Sequence, residues 1–500
     1  MNPGKVIDPA PLDAHLRLDA HGDREPPPIA THFAFPEDGG RFRTATRRCV
    51  GVGKCRRTSG GVMCPSFVAT REEMHSTRGR ARLLFEMLEG DPLDGGWRDA
   101  HVREALDLCL ACKGCRHDCP VGVDMATYKA EFLSHHYAGR IRPLPAYAFG
   151  YVGPWARVAS VAPRLANLVT HAPGLGAIAR AVAGIAPQRS IPAFAPHTFT
   201  HWFRRRHRPA GRTGRAVLLW PDTFNNHFHP DTAIAAVRVL ERAGFDVHLP
   251  RRPLCCGRPL YDFGLLGTAR RWLERILATI GPDLRRGVPV VGLEPSCLSV
   301  FRDELTNLLP DREDARALAR QSYTLAEFLR AQAPADALPA VTGPVLLHGH
   351  CHDKSVLGFD CQVDLLRDAG ASVEMPESGC CGMAGAFGFE RDHYDVSMAI
   401  GERALLPAVR RAAADRIVMA DGFSCREQIA QATGRRAKHL AEVLDDAASR
   451  SGAAGAGPLA GEVRRGAATG AGASPRETAG AGASADEAAG KGAASHAHIP

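Results

Sequence analysis

No stretch of about 18 apolar residues runs uninterrupted through this 500-residue chain, so a transmembrane helix is not expected. The opening residues Met1-Asn2-Pro3-Gly4-Lys5 lack the apolar core of a secretory signal, which points to a reducing cytoplasm. Hydrolase signatures are missing too. The sequence contains no Gly-x-Ser-x-Gly elbow, no His-Glu-x-x-His metal helix and no Gly-x4-Gly-Lys-Ser/Thr phosphate loop. Cysteine is neither scarce nor dense: fifteen residues is far below a small disulfide scaffold, so their spacing matters more than their number.

What is present is an ordinary globular composition, 45% hydrophobic and 23% charged, long enough for two or three domains. Net charge is +8, carried mostly by arginine. The densest basic run, Arg204-Arg205-Arg206-His207-Arg208, reads as a solvated linker, because no nucleic-acid motif accompanies it. Texture divides the chain. Residues 1–45 read as an extended arm, 46–140 as a helical domain with seven cysteines, and 141–213 as an apolar, then basic helical connector. Within the connector, residues 146–187 are broken by Arg157, Pro163, Arg164, Pro173 and Arg180; core packing is the expected role, with contact to a membrane or quinone as the second reading. Residues 214–447 have the α/β texture of short apolar runs between helices, and 448–500 form a Gly/Ala-rich tail expected to be disordered.

The α/β region repeats itself. Val217-Leu-Leu-Trp-Pro-Asp-Thr223 resembles Val345-Leu-Leu-His-Gly-His-Cys351. Cys255-Cys256-Gly257 is matched by Cys380-Cys381-Gly382, and Pro295-Ser-Cys297 by Phe423-Ser-Cys425. Two homologous units, 216–330 and 344–447, account for this pattern. The expected fold is therefore α+β and multidomain: a small helical two-cluster ferredoxin-like domain, then two α/β Cys-Cys-Gly repeats.

The strongest chemical signal is Cys109-x2-Cys112-x2-Cys115-x3-Cys119-Pro120. Three thiolates in so short a loop wrap one iron–sulfur cubane, while the cysteine before proline reaches a second. Zinc needs only four ligands and rarely shows this run. Upstream, Cys49-x5-Cys55 has the spacing of a first motif with Val52 in its middle, and Cys64-Pro65 supplies the crossing ligand. The spacing thus assigns Cys64, Cys109, Cys112 and Cys115 to one 4Fe-4S cluster, and Cys49, Cys55 and Cys119 to another. The second set is one cysteine short, which suits a 3Fe-4S cluster or a 4Fe-4S cluster with another ligand. His75 and His117 are candidates for that gap, although a surface role is the expectation for both.

Adjacent cysteines seldom bond to one another, but two thiolates on one turn can bind a metal or cluster together. In the second repeat, Cys351, Cys380, Cys381 and Cys425 complete a four-thiolate set for a further cluster or zinc, flanked by His350 and His352. The first repeat has only Cys255, Cys256 and Cys297, with Thr223 in place of the fourth, and reads as vestigial. Cys361 fits no ligand position.

The Cys-Cys-Gly repeats resemble the cysteine-rich domains of the heterodisulfide reductase B subunit and the glycolate oxidase iron–sulfur subunit. Val300 and Gln428 stand where the former has its last cysteine, which argues against that protein's non-cubane cluster here. Asn2-Pro-Gly-Lys-Val-Ile-Asp-Pro9, Arg48–Arg56, Met63–Ser66, Ser76–Ala81, Glu294–Arg302 and Gly379–Gly385 are similar to the iron–sulfur half of fused FAD-linked 2-hydroxyacid dehydrogenases. That resemblance implies electron relay from a flavin, on a partner subunit or a missing N-terminal domain, to a quinone or carrier protein. Its substrates would be of the D-lactate, D-2-hydroxyglutarate or glycolate type. It implies no catalytic residue in this chain and a cytoplasmic location, with peripheral contact at the membrane as a variant. A heterodisulfide-reductase-like thiol/disulfide protein and a zinc-stabilised scaffold are the competing readings.

Overall fold

The computed structural model describes residues 29–206, 214–334 and 337–455. The Asn2–Pro9 motif, most of the arm, His207, Arg208 and nearly all of the tail lie outside the described residues.

The cysteine-rich N-terminal region is helical and built on an aromatic core. Phe33, Phe35 and Phe42 are buried beside Tyr128, whose hydroxyl donates to the Ala45 carbonyl at 2.7 Å. Its longest helix, Thr77–Glu89, starts where the Ser76 hydroxyl accepts from Gly79 N–H and ends at Gly90, with φ +76°. Ala81, Leu84 and Phe85 form its buried stripe.

Seven short strands follow in two parallel sheets. The first has the order β2-β1-β3-β4, with β1 at Arg215–Trp220, β2 at Phe245–His248, β3 at Val290–Gly292 and β4 at Ser322–Thr324. The second has the order β6-β5-β7, with β5 at Pro344–Leu347, β6 at Ser372–Glu374 and β7 at Ile417–Met419. Helices cover both faces, which is why β1 and β5 read as continuous apolar runs instead of alternating ones. Val217 pairs with Val247, and Val345 pairs with both Val373 and Ile417. Thr223, Cys297, Cys351 and Cys425 follow β1, β3, β5 and β7 and so sit beyond the carboxyl ends of these strands, where open parallel sheets leave a crevice.

The described residues belong to one compact unit. Helices Pro230–Arg242 and Leu440–Gly455 clamp the two sheets together, with Arg238 and Arg242 both ion-paired to Asp445.

Two sequence expectations fail. Helices Val152–Ala159, Pro163–His171 and Leu175–Ala183 are not core: Ala156, Gly153 and Gly176 are buried, but most larger apolar side chains on them face outward. Periodicity reported an apolar face there without reporting whether anything covers it. The basic run is not simply a solvated linker either, because Arg206 pairs with Glu241 at 2.8 Å and lies over the Phe203 ring. No helix among the described residues is long and apolar enough to cross a membrane.

Candidate iron–sulfur and metal centres

The Cys109–Cys115 loop is wound more tightly than ordinary backbone prefers. Ala111 and Lys113 adopt φ of +49° and +57°, and Cys64 adopts +51°. Each such non-glycine residue costs about 1–3 kcal/mol, and the cost is borne only where the surroundings over-determine the turn. The loop's backbone fits closely: a Cβ added at Gly114 would come within 2.9 Å of the Val62 carbonyl carbon. Backbone N–H groups aim at the sulfurs, Met125 at Cys115 (3.3 Å) and Thr77 at Cys64 (3.0 Å). Burial pushes the Cys112 thiol well up and the Cys115 thiol to about 12, so a metal must displace their protons. Clustered buried thiols, a strained loop and N–H donors directed at sulfur fit an iron–sulfur cluster.

Cys64 lies beside Cys55. Their hydrogen bond pulls the Cys55 thiol down to about 6, while Cys115 also acts on Cys64 through its charge. Cys49 is buried in the same core, and half-buried Cys119 follows the short helix Gly114–Asp118. Neither histidine offered for the ligand gap stands out. His117 is exposed beside Asp118, and His75, contrary to a surface role, is buried with its Nδ1 2.9 Å from the Thr70 hydroxyl.

Under this loop lies a buried ion network. Lys113 Nζ donates to Asp124 (2.9 Å) and Asp303 (2.5 Å) and approaches Glu304 (3.3 Å). Burial works against the Lys113 ammonium, but these three carboxylates outweigh it and hold its pKa above the ordinary value. Arg258 joins from beyond Cys256-Gly257, donating to Glu304 and to the Ala111 carbonyl.

In the second Cys-Cys-Gly segment the thiols form a chain. Cys112, Cys351 and Cys380 are buried in one cluster with Val62 and Leu110. Cys380 hydrogen-bonds Cys351 and Cys381, and Cys381 hydrogen-bonds Cys425, with His348 close by. These contacts hold the Cys381 thiol well below its ordinary pKa and push Cys380 and Cys425 well above theirs. His348, Cys381 and Cys425 bring ligand atoms within 4.8 Å of one another. The His348 Nδ1 is 2.8 Å from the Ser378 hydroxyl, and its buried Nε2 has no hydrogen-bond partner. A ring fixed through one nitrogen with the other left for a ligand is the usual arrangement of a metal-binding histidine. His350 and His352, the flanking residues expected from sequence, instead line a neighbouring cavity, with His352 bonded to Ser299. The signal for His348 lay in the internal repeat, where it takes the place of Trp220.

The first segment is different. Thr223 donates to Cys255 Sγ at 3.4 Å, and Cys256 and Cys297 lie with sulfurs 2.7 Å apart. All three thiols are pushed up: Cys255 chiefly by its bond to Cys256, and Cys256 and Cys297 by burial. Cys361 is half-buried on the helix Asp360–Asp368, away from both sets by sequence position.

Comparison with known proteins agrees with this geometry. The family model "4Fe-4S dicluster domain" matches residues 45–123, and the model "Cysteine-rich domain" matches 222–302 and 362–430. D-2-hydroxyglutarate dehydrogenase of Escherichia coli (strain K12) is 27% identical over 496 residues, covering 89% of this chain and 47% of that protein. The glycolate oxidase iron-sulfur subunit of the same organism is 25% identical over 419 residues, 80% of this chain and 94% of the subunit. Lactate utilization protein A of Bacillus licheniformis is 28% identical over 243 residues, 46% of this chain and 98% of that protein. The chain spans about half the length of the D-2-hydroxyglutarate dehydrogenases it matches. It carries a 4Fe-4S dicluster domain followed by cysteine-rich segments, and through that combination it resembles the iron–sulfur parts of FAD-linked dehydrogenases.

Proposed function

We propose that this chain is the iron–sulfur electron-transfer component of an FAD-dependent D-2-hydroxyacid dehydrogenase, with the flavin on a partner subunit or another domain. When bound, the clusters supply one-electron transfer between that flavin and an acceptor, either a quinone or a carrier protein. The chain's own residues hold and insulate the route. Cys64, Cys109, Cys112 and Cys115 are the ligands of one cluster, and Cys49, Cys55 and Cys119 of the other. Cys351, Cys380, Cys381 and Cys425, with His348, hold a further cluster or zinc ion, while Cys255, Cys256 and Cys297 bind none. The domains run 46–140 and 214–447, the latter from two homologous copies (216–330 and 344–447), with 1–45, 141–213 and 448–500 as arm, connector and tail.

The observation that carries this reading is the shared wall between Cys112 and the pair Cys351–Cys380. The thiol-rich loop of the helical domain and that of the second cysteine-rich segment meet in one water-poor cluster. A Cβ on Gly379 would collide with the Gly61 carbonyl oxygen at 2.6 Å, so the second segment also packs closely on the backbone just before Cys64. A storage or scaffold role gives no reason for such an approach.

Iron and acid-labile sulfide per chain after anaerobic purification test it. About seven or eight irons are expected from two clusters, and about eleven or twelve if the second segment holds a third. Stoichiometric zinc without sulfide would leave a scaffold protein instead.

A further inference from the structure

Between Glu131 and Asp222 the chain has no acidic residue at all, yet twelve arginines. The same stretch carries most of the large apolar side chains exposed among the described residues, including Trp155, Val158, Val161, Leu165 and Ile178. Val161 is 86% and Ile178 62% exposed, and Arg157 and Arg164 stand exposed among them. These helices are nevertheless well anchored. A Cβ on Gly153 would lie 3.1 Å from Cys255 Sγ, the Ser160 hydroxyl is 2.7 Å from His227 Nδ1, and Asn167 holds the Phe194 backbone through two hydrogen bonds. An ordered apolar face whose own charged side chains are all basic matches an interface with anionic lipid better than one with a protein of mixed charge.

Beneath this face lies a cavity of about 650 Å³, within the range of small-molecule sites. Its outer wall is made by Leu144, Trp155 and Val182, which are themselves exposed, so the cavity opens on the apolar face. Its inner end reaches Leu110 of the Cys109–Cys112 loop and Cys351. The lining is largely apolar but carries polar side chains, among them Arg258, Asp262, Glu294, Ser296, His350 and His352, of which His350 and His352 flank Cys351 in sequence.

We propose that this cavity is the site of a lipid-soluble quinone, entered from an anionic bilayer on which helices Val152–Ala159, Pro163–His171 and Leu175–Ala183 rest. A largely apolar passage carrying polar side chains suits a planar ring with carbonyl oxygens and a hydrocarbon tail. The inference rests on the electron-transfer reading and names its acceptor. The quinone takes two electrons, delivered singly from those removed from the hydroxyacid at the flavin, and two protons from water, and leaves as quinol.

The test has two arms, both on the purified full chain. In flotation, the protein is expected to bind vesicles of phosphatidylglycerol and phosphatidylcholine, to bind pure phosphatidylcholine at least 10-fold less, and to be released by salt. Trp155→Glu with Leu165→Glu, both on exposed positions and checked for unchanged melting, should abolish that binding. No flotation, or flotation indifferent to these changes, overturns the lipid surface and leaves a protein partner for this face. In the second arm, ubiquinone with two isoprene units is bound in mild detergent and measured by equilibrium dialysis. Ala179→Trp, which fills the cavity from an accessible helix, should weaken binding at least 10-fold; unchanged or absent binding by the wild-type chain overturns the site. Metal analysis separates the two readings. Iron and sulfide without quinone or vesicle binding defeats this proposal alone, whereas quinone and vesicle binding without iron or sulfide defeats the electron-transfer reading.

Discussion

The two cysteine-rich segments hold the helical domain in different ways. The first meets it through charge: Asp303 and Glu304 take the buried Lys113, and Arg258 takes the Ala111 carbonyl, all behind the Cys109–Cys115 loop. The second meets it through thiols and apolar contact, with Cys351 and Cys380 against Cys112 and His393 bonded to Asp107 at 2.9 Å. Their own cysteines differ in parallel. Where the second has His348 and Cys351, the first has Trp220 and Thr223. Trp220 is fully buried edge-on to Phe301, and Thr223 satisfies Cys255 with a hydroxyl. The first set contains no lowered thiol, whereas the second contains Cys381. Burying cysteines is therefore not enough to make a metal centre. Donor number separates a ligand set from a packed remnant, and the first segment is read best as a clamp.

The largest effect that can break this contrast is on metal content. Cys381→Ser should remove the metal or cluster of the second segment, seen as a drop in zinc or in iron and sulfide per chain. Cys256→Ser should leave the metal count unchanged; an equal loss in both variants would make the two segments equivalent. Stability sharpens it next. Lys113→Met removes the one cation that all three of Asp124, Asp303 and Glu304 share, leaving Arg116 and Arg258 to pair with them from the sides, and should cost about 3–5 kcal/mol in denaturant unfolding of the metal-loaded chain. His393→Gln at the other contact should cost only about 1 kcal/mol. Comparable losses would remove the distinction between a clamp of charge and a contact of thiols.

The remaining effect is in pH dependence. Burial, assisted by Glu294, raises the Asp222 carboxyl to about 6 at the end of β1. The folded chain therefore keeps a proton that the unfolded chain has lost. The associated stability is complete below about pH 4 and lost as pH rises to about 6, a difference of about 2–3 kcal/mol. Asp222→Asn should flatten the unfolding free energy across that window; an unchanged slope would assign it to other groups.

Much of the chemistry was legible without coordinates. The run Cys109 to Pro120 and the doubled Cys-Cys-Gly identify thiol-rich loops because spacings so short keep the sulfurs near one another. The alternation of apolar runs with helices likewise predicted the α/β texture. His348 was missed because three histidines surround Cys351 in sequence. Only the turn beyond β5 decides that His348 faces Cys381 while His350 and His352 face the cavity. His75 was misjudged because nothing local reveals that the chain folds back over it.

By itself the sequence determined which residues could ligate and which segments were apolar, since spacing and composition are local properties. Tertiary structure alone decided that Cys112 meets Cys351 from more than two hundred residues away, that Lys113 is neutralised by Asp303, and that the apolar helices after residue 150 face outward. Each depends on which surfaces the sheets and helices cover. That outcome belongs to the packing of the whole chain, and no stretch of it carries the answer alone.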